Sequence, residues 1–580
     1  MKHRGTIRDA AALTALALAA ASAVAVPNPA HAATAANTLV VQADEPFRTV
    51  THVASGGLYG LDTATVPADS LVSPLHPNTF VQMAPGGKQL PNGEPAPGGD
   101  ALVVAPEAAK AGAKVVVRMP DWYPSFPYQW VSWSNWLSAV DSQIAAVQAS
   151  GATNISAWEL WNEPDWTWNT AAAGGFDAGW ARTFDEVRSK DPSRPIQGPS
   201  ISTFNLSWMT TFLTDAKASN TVPDIISWHE LGGASSIAGD VAAYRSLESS
   251  LGISPRPVAI EEYGTTGEVG VPGPLAGYIA KFERAGVSNA ELAFWNQYGT
   301  LGDTLVSTSG APNGAYWLYD WYGAMTGNMV TTVPPSQTGL DGAASVNSAG
   351  NQVSVILGGG SGSGAVTVNG LNALSGFGTS AQVTLQYTPG SGRTVAVSAP
   401  TTVSQSTYTI ASGSITVPVS MTASYGYHLV ITPGSGTGSL AGTYQIKNAN
   451  SGLALDTAGE GTAQGTLVDQ AAPGSGGTQS WTLVSAGSNL YKIENAASGL
   501  VLGISGENTA DGADALIWGD NGTPDHLWQV TAAGGGEYKF VNSNSGKVLG
   551  VLNESTAAGA QVLQWDDNGT PDHLWTLTAR

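Results

Sequence analysis

The chain has 580 residues, of which 12% are charged, and it carries a formal net charge of -21 with no cysteine. This length predicts about three domains. The negative charge disfavours nucleic acid and anionic membrane surfaces as partners, because binding to phosphates requires positive charge. The lack of cysteine excludes disulfides and thiolate metal sites, so packing must stabilise the fold.

The first 32 residues have the layout of a secretory signal peptide. Lys2, Arg4 and Arg8 precede an alanine- and leucine-rich run from Ala10 to Val26, and Ala30-His31-Ala32 follows as a small-x-small cleavage site. No second long apolar segment is present, which disfavours a membrane anchor. The sequence therefore predicts a secreted, extracellular protein.

From residue 49 to about 325 the chain alternates short apolar runs with segments of helical length, which is the pattern of β/α units around a parallel sheet. We assign residues 33–329 to this domain. The eight predicted strands are Val50 to Ala54, Thr79 to Met83, Lys114 to Met119, Ile155 to Trp161, Pro195 to Pro199, Asp224 to His229, Pro257 to Glu262 and Ala290 to Trp295. Eight such units match the size of a (β/α)₈ TIM barrel. A doubly wound open sheet is the competing fold, but no Gly-rich phosphate loop follows an early strand.

Polar and aromatic residues collect where these predicted strands end. Barrel enzymes place their chemistry at the carboxyl ends of the strands, so these side chains should share one rim. The residues at the predicted rim are Arg118, Asp121, Trp122, Asn162, Glu163, His229, Glu230, Glu261, Glu262, Tyr263, Trp295 and Asn296.

The stretch from Ser156 to Trp168 places one acid, Glu163, directly after an apolar run. Pro164 ends the strand there, because proline cannot donate to a sheet. We expect a pocket around this acid whose indole walls stack on the apolar side of a sugar ring. Its predicted walls are Trp158, Trp161, Trp166 and Trp168. A structural role for the acid, as a loop cap beside core tryptophans, is the alternative.

Asn162-Glu163-Pro164 after the fourth strand and Glu262-Tyr263-Gly264 after the seventh resemble the motifs of retaining glycoside hydrolases of clan A. The resemblance implies that Glu163 is the acid/base and Glu262 the nucleophile, with carboxyl groups about 5 Å apart. Glu261 is the alternative nucleophile. Neighbouring strand residues point to opposite sides, so only one of the two is expected to face the site.

The same resemblance implies a set of substrate contacts around the two acids. Asn162 would bind the 2-hydroxyl of the sugar, His229 would lie near the nucleophile, and Trp295 would form the floor of the sugar subsite. A satisfied core histidine is an equal alternative for His229. The further expected contacts are Asp121, Trp122, Trp166 and Tyr263. No paired-histidine motif has metal-ligand spacing, so no metal or cofactor is expected.

Residues 330–432 lack helical segments and predict a β-sandwich. Its expected strands include Gln352 to Leu357, Ala381 to Tyr387, Ser414 to Val419 and Gly426 to Ile431. No residue cluster there suggests chemistry, which favours a structural partner of the barrel. The composition of residues 433–439 predicts a flexible linker.

A secreted barrel, a following sandwich and an aromatic last helix ending at Met325-Thr326-Gly327 are similar to glycoside hydrolase family 39. That resemblance implies a β-xylosidase, an α-L-iduronidase or an enzyme for arabinose-containing side chains of plant arabinogalactan. An iduronidase needs basic residues for the substrate carboxylate, and the rim offers mainly Arg118. We therefore expect an exo-acting α-L-arabinofuranosidase-type enzyme on arabinogalactan, with release of a disaccharide as one form of the reaction. A β-xylosidase and a catalytically inactive carbohydrate-binding protein remain the alternatives.

Residues 440–580 contain a threefold repeat with a period of 47 residues, seen in Tyr444, Tyr491 and Tyr538 and in Trp481, Trp528 and Trp575. Repeats of this size cannot each bury a core, so they must pack together. The pattern resembles the ricin-type β-trefoil lectin, or carbohydrate-binding module family 13, whose Gln-x-Trp motif survives only at Gln479.

Each sugar pocket of that lectin family pairs an early Asp with a later aromatic residue. The first repeat has Asp456 but Ala471, whereas the other two have Trp518 and Trp565 but lack the Asp. The resemblance implies weak sites whose affinities add through multivalency. The expected sugar-binding residues are Asp456, Trp518, Asp520, Asn521, Trp565, Asp567 and Asn568.

Overall fold

The computed structural model describes residues 37–87, 99–293, 300–301, 304–434, 440–487, 490–534 and 536–580. Those residues form a closed barrel of parallel strands, a nine-stranded sheet and a twelve-stranded sheet. The predicted class of TIM barrel, β-sandwich and β-trefoil is confirmed. The expected signal peptide of residues 1–32 lies outside the described residues. Within the described ranges, no helix is both long enough and apolar enough to cross a membrane.

The barrel closes through eight parallel strands that neighbour one another in chain order. β1 (Thr38–Thr49) precedes them and belongs to the second sheet. The barrel strands are β2 (Gly56–Leu58), β3 (Thr79–Met83), β4 (Lys114–Arg118), β5 (Ile155–Glu159), β6 (Ile196–Ile201), β7 (Ile225–Glu230), β8 (Val258–Tyr263) and β9 (Asn289–Ala293). Nearly all of their residues are buried, as expected for a parallel sheet covered by helices.

Helices connect and cover these strands. They are α1 (Asp69–Val72), α2 (Ala101–Lys110), α3 (Trp133–Ser150), α4 (Pro164–Thr167), α5 (Thr170–Ala173), α6 (Phe176–Lys190), α7 (Leu206–Ala218), α8 (Ile237–Ser250), α9 (Pro272–Ala285) and α10 (Gly314–Gly323). Several begin at a side chain that accepts hydrogen bonds from the first turn, such as Asp100 before α2 and Ser132 before α3. Such caps satisfy amide groups that have no partner inside the helix.

The first predicted barrel strand, Val50 to Ala54, is wrong, because the strand lies at Gly56–Leu58. Val53 and Ala54 are apolar since they are fully buried in the loop that enters the barrel. The carbonyl of Val53 accepts a hydrogen bond of 2.6 Å from the amide of Ala290. Burial of a loop, rather than strand pairing, explains this apolar run.

The second sheet encloses its own apolar core and forms the predicted sandwich. Its strands besides β1 are β10 (Asn328–Val333), β11 (Asp341–Val346), β12 (Val353–Gly358), β13 (Gly362–Asn369), β14 (Ser380–Thr388), β15 (Thr401–Thr409), β16 (Ile415–Met421) and β17 (Gly426–Pro433). β1 pairs antiparallel with β10 and parallel with β13. The barrel therefore begins after Thr49 and not at residue 33, because β1 completes the sandwich.

Helix α9 joins the barrel to the sandwich through a buried charge cluster. Asp341 on β11 accepts hydrogen bonds of 2.7 Å from Lys281 and of 2.7 Å from Arg284. All three groups keep a partner, which is the condition under which buried charges are tolerated. The sandwich thus supports the outer face of the barrel.

The third unit repeats four strands three times, as the sequence period predicts. Its strands are β18 (Gly442–Asn448), β19 (Ala454–Thr457), β20 (Val468–Ala471), β21 (Trp481–Gly487), β22 (Leu490–Asn495), β23 (Val501–Ile504), β24 (Ala513–Trp518), β25 (Trp528–Gly534), β26 (Glu537–Asn542), β27 (Val548–Val551), β28 (Ala560–Trp565) and β29 (Trp575–Ala579). Trp481, Trp528 and Trp575 are fully buried, and each indole donates to a leucine carbonyl of its own repeat at 2.9–3.0 Å. The repeats share one core.

Candidate active site

The turn after β5 presents Glu163 to the mouth of the barrel. Its backbone adopts the left-handed conformation with φ 52° and ψ 51°, and its amide donates to the carbonyl of Ser200 at 2.8 Å. This conformation is unfavourable for a residue with a β-carbon and is concentrated at functional sites. Pro164 then starts α4 at its first position, where no amide hydrogen is needed.

Strand β8 contains a bulge at Glu261, and it changes where the two adjacent glutamates point. Trp228 pairs with Ile260, but the next residue, His229, pairs with Glu262. Both glutamates therefore face the barrel interior. The expectation that they point to opposite sides is wrong, because regular alternation ends at a bulge.

The bulge leaves the two glutamates at different depths. Glu261 is completely buried and accepts a hydrogen bond from Gln197, whereas Glu262 is 8% exposed and lies nearer to the opening. The nucleophile assignment to Glu262 stays a prediction, and depth rather than direction now favours it.

Glu163, His229 and Glu262 form one compact group. Single ligand atoms of the three side chains lie within 4.8 Å of one another. Nδ1 of His229 lies 3.3 Å from Oε1 of Glu163 and 3.8 Å from Oε2 of Glu262. Carboxyl groups about 5 Å apart are the arrangement of retaining glycosidases, whereas inverting enzymes need a wider gap.

His229 lies between these acids and not in an apolar core. Burial disfavours its charged form, but Glu262 and Glu163 outweigh that effect and raise the pKa of His229. Neither ring nitrogen has a hydrogen-bond partner of good geometry among the described residues. The histidine can therefore carry positive charge beside both carboxylates.

The buried side chain of Arg118 forms a hydrogen bond and an ion pair with Glu262. Its Nη1 donates to Oε1 of Glu262 at 2.7 Å, while its Nε contacts both carboxylate oxygens of Glu159 at 2.9 Å and 3.0 Å. Burial opposes the charge on Arg118, yet the surrounding acids keep its pKa well above the ordinary value. Arg118 therefore stays charged and restricts the position of the Glu262 carboxylate.

Asn162 and Asp121 lie beside this network and differ in their hydrogen bonding. Oδ1 of Asn162 is buried and has no hydrogen-bond partner among the described residues. Asp121 is fully buried, accepts hydrogen bonds from Tyr59 and Tyr128, and has its pKa raised to about 6 by burial. Asn162 can receive a substrate hydroxyl, whereas Asp121 is placed to support the tyrosines. Trp122 is half-buried.

The four tryptophans predicted to form the walls of the pocket differ in exposure and in their contacts. Trp166 is 53% exposed, whereas Trp158, Trp161 and Trp168 are at most 9% exposed. The indole of Trp158 donates a hydrogen bond to Asp191, the residue that follows α6. Trp161 packs against Trp168 within an aromatic cluster. Only Trp166 offers a free indole face beside Glu163, so the expectation of four walls is wrong.

Two further predicted contacts are not placed in the site. Tyr263 is fully buried, donates to the carbonyl of Ala54 and packs on the helix α9 side of β8. Its predicted role as a substrate contact is wrong, because its side chain points away from the barrel interior. Trp295 lies outside the described residues.

Glu163, His229 and Glu262 are also the described residues that could together hold a metal ion. A site of one histidine and two carboxylates fits several divalent cations. The expectation that no metal is required therefore stays a prediction that a chelator can test.

Of the predicted lectin residues, Asp456 is buried and accepts a hydrogen bond of 2.8 Å from Gln479. The others are exposed on the surface of the third unit, namely Trp518, Asp520, Asn521, Trp565, Asp567 and Asn568. Trp518 and Trp565 are 38% and 41% exposed. Asp520 and Asp567 form ion pairs of 2.5 Å with Lys492 and Lys539. The carboxamide oxygens of Asn521 and Asn568 accept hydrogen bonds from the threonine two residues later.

A solved structure of a Neocallimastix frontalis protein is similar to more than half of this chain. It shares 36% identity, with a TM-score of 0.65 over 69% of this chain and 100% of that chain. The chain belongs to the family of this Neocallimastix protein. The C-terminal unit matches the family described as ricin-type beta-trefoil lectin domain-like over residues 430–518 and 524–580.

Two curated proteins to which the chain is similar are named as glycosidases. A 3-O-alpha-D-galactosyl-alpha-L-arabinofuranosidase of Bifidobacterium longum subsp. longum is 28% identical over 455 residues, which is 66% of this chain and 39% of that protein. A 3-O-beta-L-arabinopyranosyl-alpha-L-arabinofuranosidase of Bifidobacterium pseudocatenulatum is 27% identical over 367 residues, which is 53% of this chain and 37% of that protein. The chain thus spans under two fifths of these relatives. The resemblance to glycoside hydrolases and to ricin-type lectins is confirmed.

Sequence reasoning missed Glu159 as part of the network around Arg118. It lies on β5, completely buried, and forms the ion pair that anchors Arg118. The available signal was a charged residue inside an otherwise apolar predicted strand, since buried charge requires a partner.

Proposed function

We propose that the chain is a secreted, retaining, exo-acting glycoside hydrolase of the α-L-arabinofuranosidase type that acts on arabinogalactan side chains. The observation that carries this proposal is the pair of carboxyl groups of Glu163 and Glu262, whose ligand atoms lie within 4.8 Å of each other at the barrel mouth. That separation leaves room for an anomeric carbon between the acids, but not for a water molecule as well.

The two acids have different neighbours, which suits them to different roles. Arg118 contacts Glu262, whereas His229 is the charged neighbour of Glu163 at 3.3 Å. Glu262 is held by Arg118 through a 2.7 Å hydrogen bond, so its carboxylate is kept in position for attack on the anomeric carbon. Glu163 would donate a proton to the leaving oxygen and later remove one from the water that hydrolyses the glycosyl-enzyme intermediate. His229, between them, would adjust its charge as the proton on Glu163 moves.

The names of the curated relatives describe an arabinofuranosyl unit that carries another sugar at O3. We propose that this chain likewise releases an arabinofuranose unit from the end of a side chain, together with its cap as a disaccharide. The exposed indole of Trp166 and the buried, unpartnered Oδ1 of Asn162 support binding of such a sugar at the acids. The trefoil would keep the enzyme on the polysaccharide, which raises the local concentration of side chains.

The proposal is tested with purified protein on arabinogalactan, with Glu163→Gln and Glu262→Gln beside it. Both variants should lose at least about 10³-fold in rate, because each removes a group that acts in the transition state. Glu186→Gln on helix α6 is the matched control and should keep full activity. Products are identified by chromatography, and the anomer formed first is followed by NMR.

Several outcomes would contradict the proposal. Formation of the inverted anomer, or full activity of Glu262→Gln, would exclude a nucleophilic Glu262. Loss of activity with a chelator and its return with a divalent cation would assign the three-residue group to a metal. Xylose as the sole product would replace the arabinofuranosidase with a β-xylosidase, and inactivity on all glycosides would leave a carbohydrate-binding protein.

A further inference from the structure

Three side chains at the barrel mouth together have the donor atoms of a transition-metal site. Glu163, His229 and Glu262 each offer one ligand atom, and these atoms lie within 4.8 Å of one another. Nδ1 of His229 lies 3.3 Å from Oε1 of Glu163 and 3.8 Å from Oε2 of Glu262. Ligand atoms that surround Zn²⁺ as a tetrahedron with bonds of about 2.1 Å lie roughly 3.4 Å apart. The two nitrogen–oxygen separations are close to that value.

The imidazole of His229 is buried between the acids without a settled partner. Its side chain is completely buried, yet neither ring nitrogen makes a hydrogen bond of good geometry within the described ranges of the chain. A buried polar group without a partner is costly, so a partner from outside the chain is favoured. A metal ion bound at Nδ1 would supply that partner and would replace the proton that the ring can carry.

Glu261 offers the outer carboxylate that a metal-bound histidine uses. Its Oε2 is buried, lacks a hydrogen-bond partner in the described part of the structure and lies 3.9 Å from Nε2 of His229. Its other oxygen accepts a hydrogen bond from Gln197. A metal-bound histidine usually donates its second N–H to a carboxylate, which fixes the tautomer. A shift of about 1 Å would bring Nε2 and Oε2 to hydrogen-bond distance.

The charges around the group favour a divalent cation. Arg118 donates from Nη1 to Oε1 of Glu262, which leaves Oε2 of that carboxylate outside the contact. Its Nε contacts both oxygens of Glu159, and this ion pair balances the charge of the guanidinium. The carboxylates of Glu163 and Glu262 then remain to balance the double charge of a cation.

A cation in this position would exclude the sugar. Glu163 and Glu262 are each 8% exposed at the barrel mouth, so a cation can reach their oxygens from solvent. It would lie between the two carboxylates, in the space proposed for the anomeric carbon. It would also bind the oxygens that are proposed to donate a proton and to attack. Cation and substrate should therefore compete for the same acids.

We infer that Glu163, His229 and Glu262 bind Zn²⁺ or a similar first-row divalent cation, and that the bound cation inhibits hydrolysis by excluding the sugar. Glu261 is a positioning residue for the imidazole. One nitrogen and two carboxylates suit Zn²⁺ better than Mg²⁺ or Ca²⁺, which prefer six or more oxygen ligands. The inhibition rests on the proposed function, whereas the binding of the cation does not.

The test uses the full chain after treatment with a chelator that is then removed. Calorimetric titration with ZnCl₂ should show binding, and Co²⁺ should give the visible absorption of a four-coordinate complex. His229→Gln and Glu163→Gln should each abolish both signals. Glu261→Gln should weaken the binding of Zn²⁺ about tenfold or more, because it removes the outer carboxylate. His76→Gln, at an exposed histidine, is the matched control and should bind Zn²⁺ like the parent.

Initial rates on an aryl arabinofuranoside measure the inhibition. Zn²⁺ should raise KM at unchanged kcat, and Mg²⁺ at the same concentration should have no effect. No binding of Zn²⁺ by the parent, or inhibition that added substrate does not relieve, would overturn the inference. Binding of Zn²⁺ by His229→Gln and Glu163→Gln as tight as that of the parent would also overturn it.

Two further outcomes separate this inference from the proposed function. Thermal unfolding shows whether His229→Gln is folded, and Glu163→Gln decides the result if it is not. A parent that binds Zn²⁺ through His229 but hydrolyses no glycoside would support the metal site and contradict the hydrolase. An active parent that binds no Zn²⁺ would contradict the metal site alone.

Discussion

Nη1 of Arg118 donates a 2.7 Å hydrogen bond to Oε1 of Glu262, while Nε of the same guanidinium contacts both oxygens of Glu159. The planar guanidinium therefore connects a carboxylate inside the barrel to the proposed nucleophile at its mouth. Lysine carries the same charge but cannot bridge two acids in fixed geometry.

Arg118→Lys should consequently lower kcat by about 10²-fold with little change in KM, because small misplacement of a reacting group is costly. The charge that remains beside Glu159 should keep the protein folded. Steady-state kinetics on an aryl arabinofuranoside and urea unfolding measure the two effects. An unchanged kcat would show that this hydrogen bond does not position Glu262.

Glu261→Gln distinguishes the two adjacent glutamates. Glu261 is completely buried and accepts a hydrogen bond from Gln197, so it does not reach a bound sugar. We expect its rate to fall by no more than about tenfold, whereas Glu262→Gln loses the nucleophile. Single-turnover kinetics on the two variants provide the comparison. The opposite ranking would make Glu261 the nucleophile.

The barrel and the gathering of Asn162, Glu163, His229 and Glu262 follow from sequence patterns because parallel strands must end at one rim. The sequence pattern does not specify the direction of each side chain at that rim. Tyr263 directly follows Glu262 but points towards α9, and Glu261 faces the interior only because of a bulge. A single inserted residue in the pairing reverses every inference from alternation.

The sequence also does not show which distant strands pair with each other. β1 precedes the barrel in the chain but joins the sandwich through β10 and β13, about 280 to 330 residues later. Nothing local distinguishes such a strand from a barrel strand. In the trefoil, by contrast, the 47-residue period predicts the shared core because the same residues recur at each step.

Glu230 should make stability depend on pH in a defined window. Burial raises its pKa from 4.5 to about 7, despite hydrogen bonds from Trp228 and Ser236 that act in the opposite direction. A carboxyl group with a higher pKa in the folded state stabilises below its unfolded pKa, and this contribution is lost as pH rises through the folded pKa. Relative to Glu230→Gln, the wild type should lose roughly 3 kcal/mol between pH 4.5 and 7. Urea unfolding of both proteins at several pH values measures the difference, and parallel curves would contradict the expectation.

Trp166→Ala tests whether the exposed indole binds substrate. Trp166 is 53% exposed and contacts Phe126 edge-to-face, so its removal should change the free energy of unfolding by less than about 0.5 kcal/mol. If its free face stacks on the sugar, KM should rise about tenfold while kcat changes less. Leu206→Ala, at a residue 46% exposed at the start of α7, is the matched control. Equal KM values for the two variants would remove Trp166 from the binding site.

Gly550→Ala tests whether the ring of His573 fills the space beside Gly550 on β27. The added methyl group would lie 2.4 Å from Cδ2 of His573, whose ring is buried and cannot move aside easily. Overpacking of this kind costs about 1–3 kcal/mol, so the trefoil should unfold at a lower temperature. Gly476→Ala is the matched control, because its added methyl group would meet no atom closer than 3.7 Å. Calorimetry of the full chain reports both changes. Equal unfolding temperatures in the two variants would mean that the ring of His573 does not occupy the space beside Gly550.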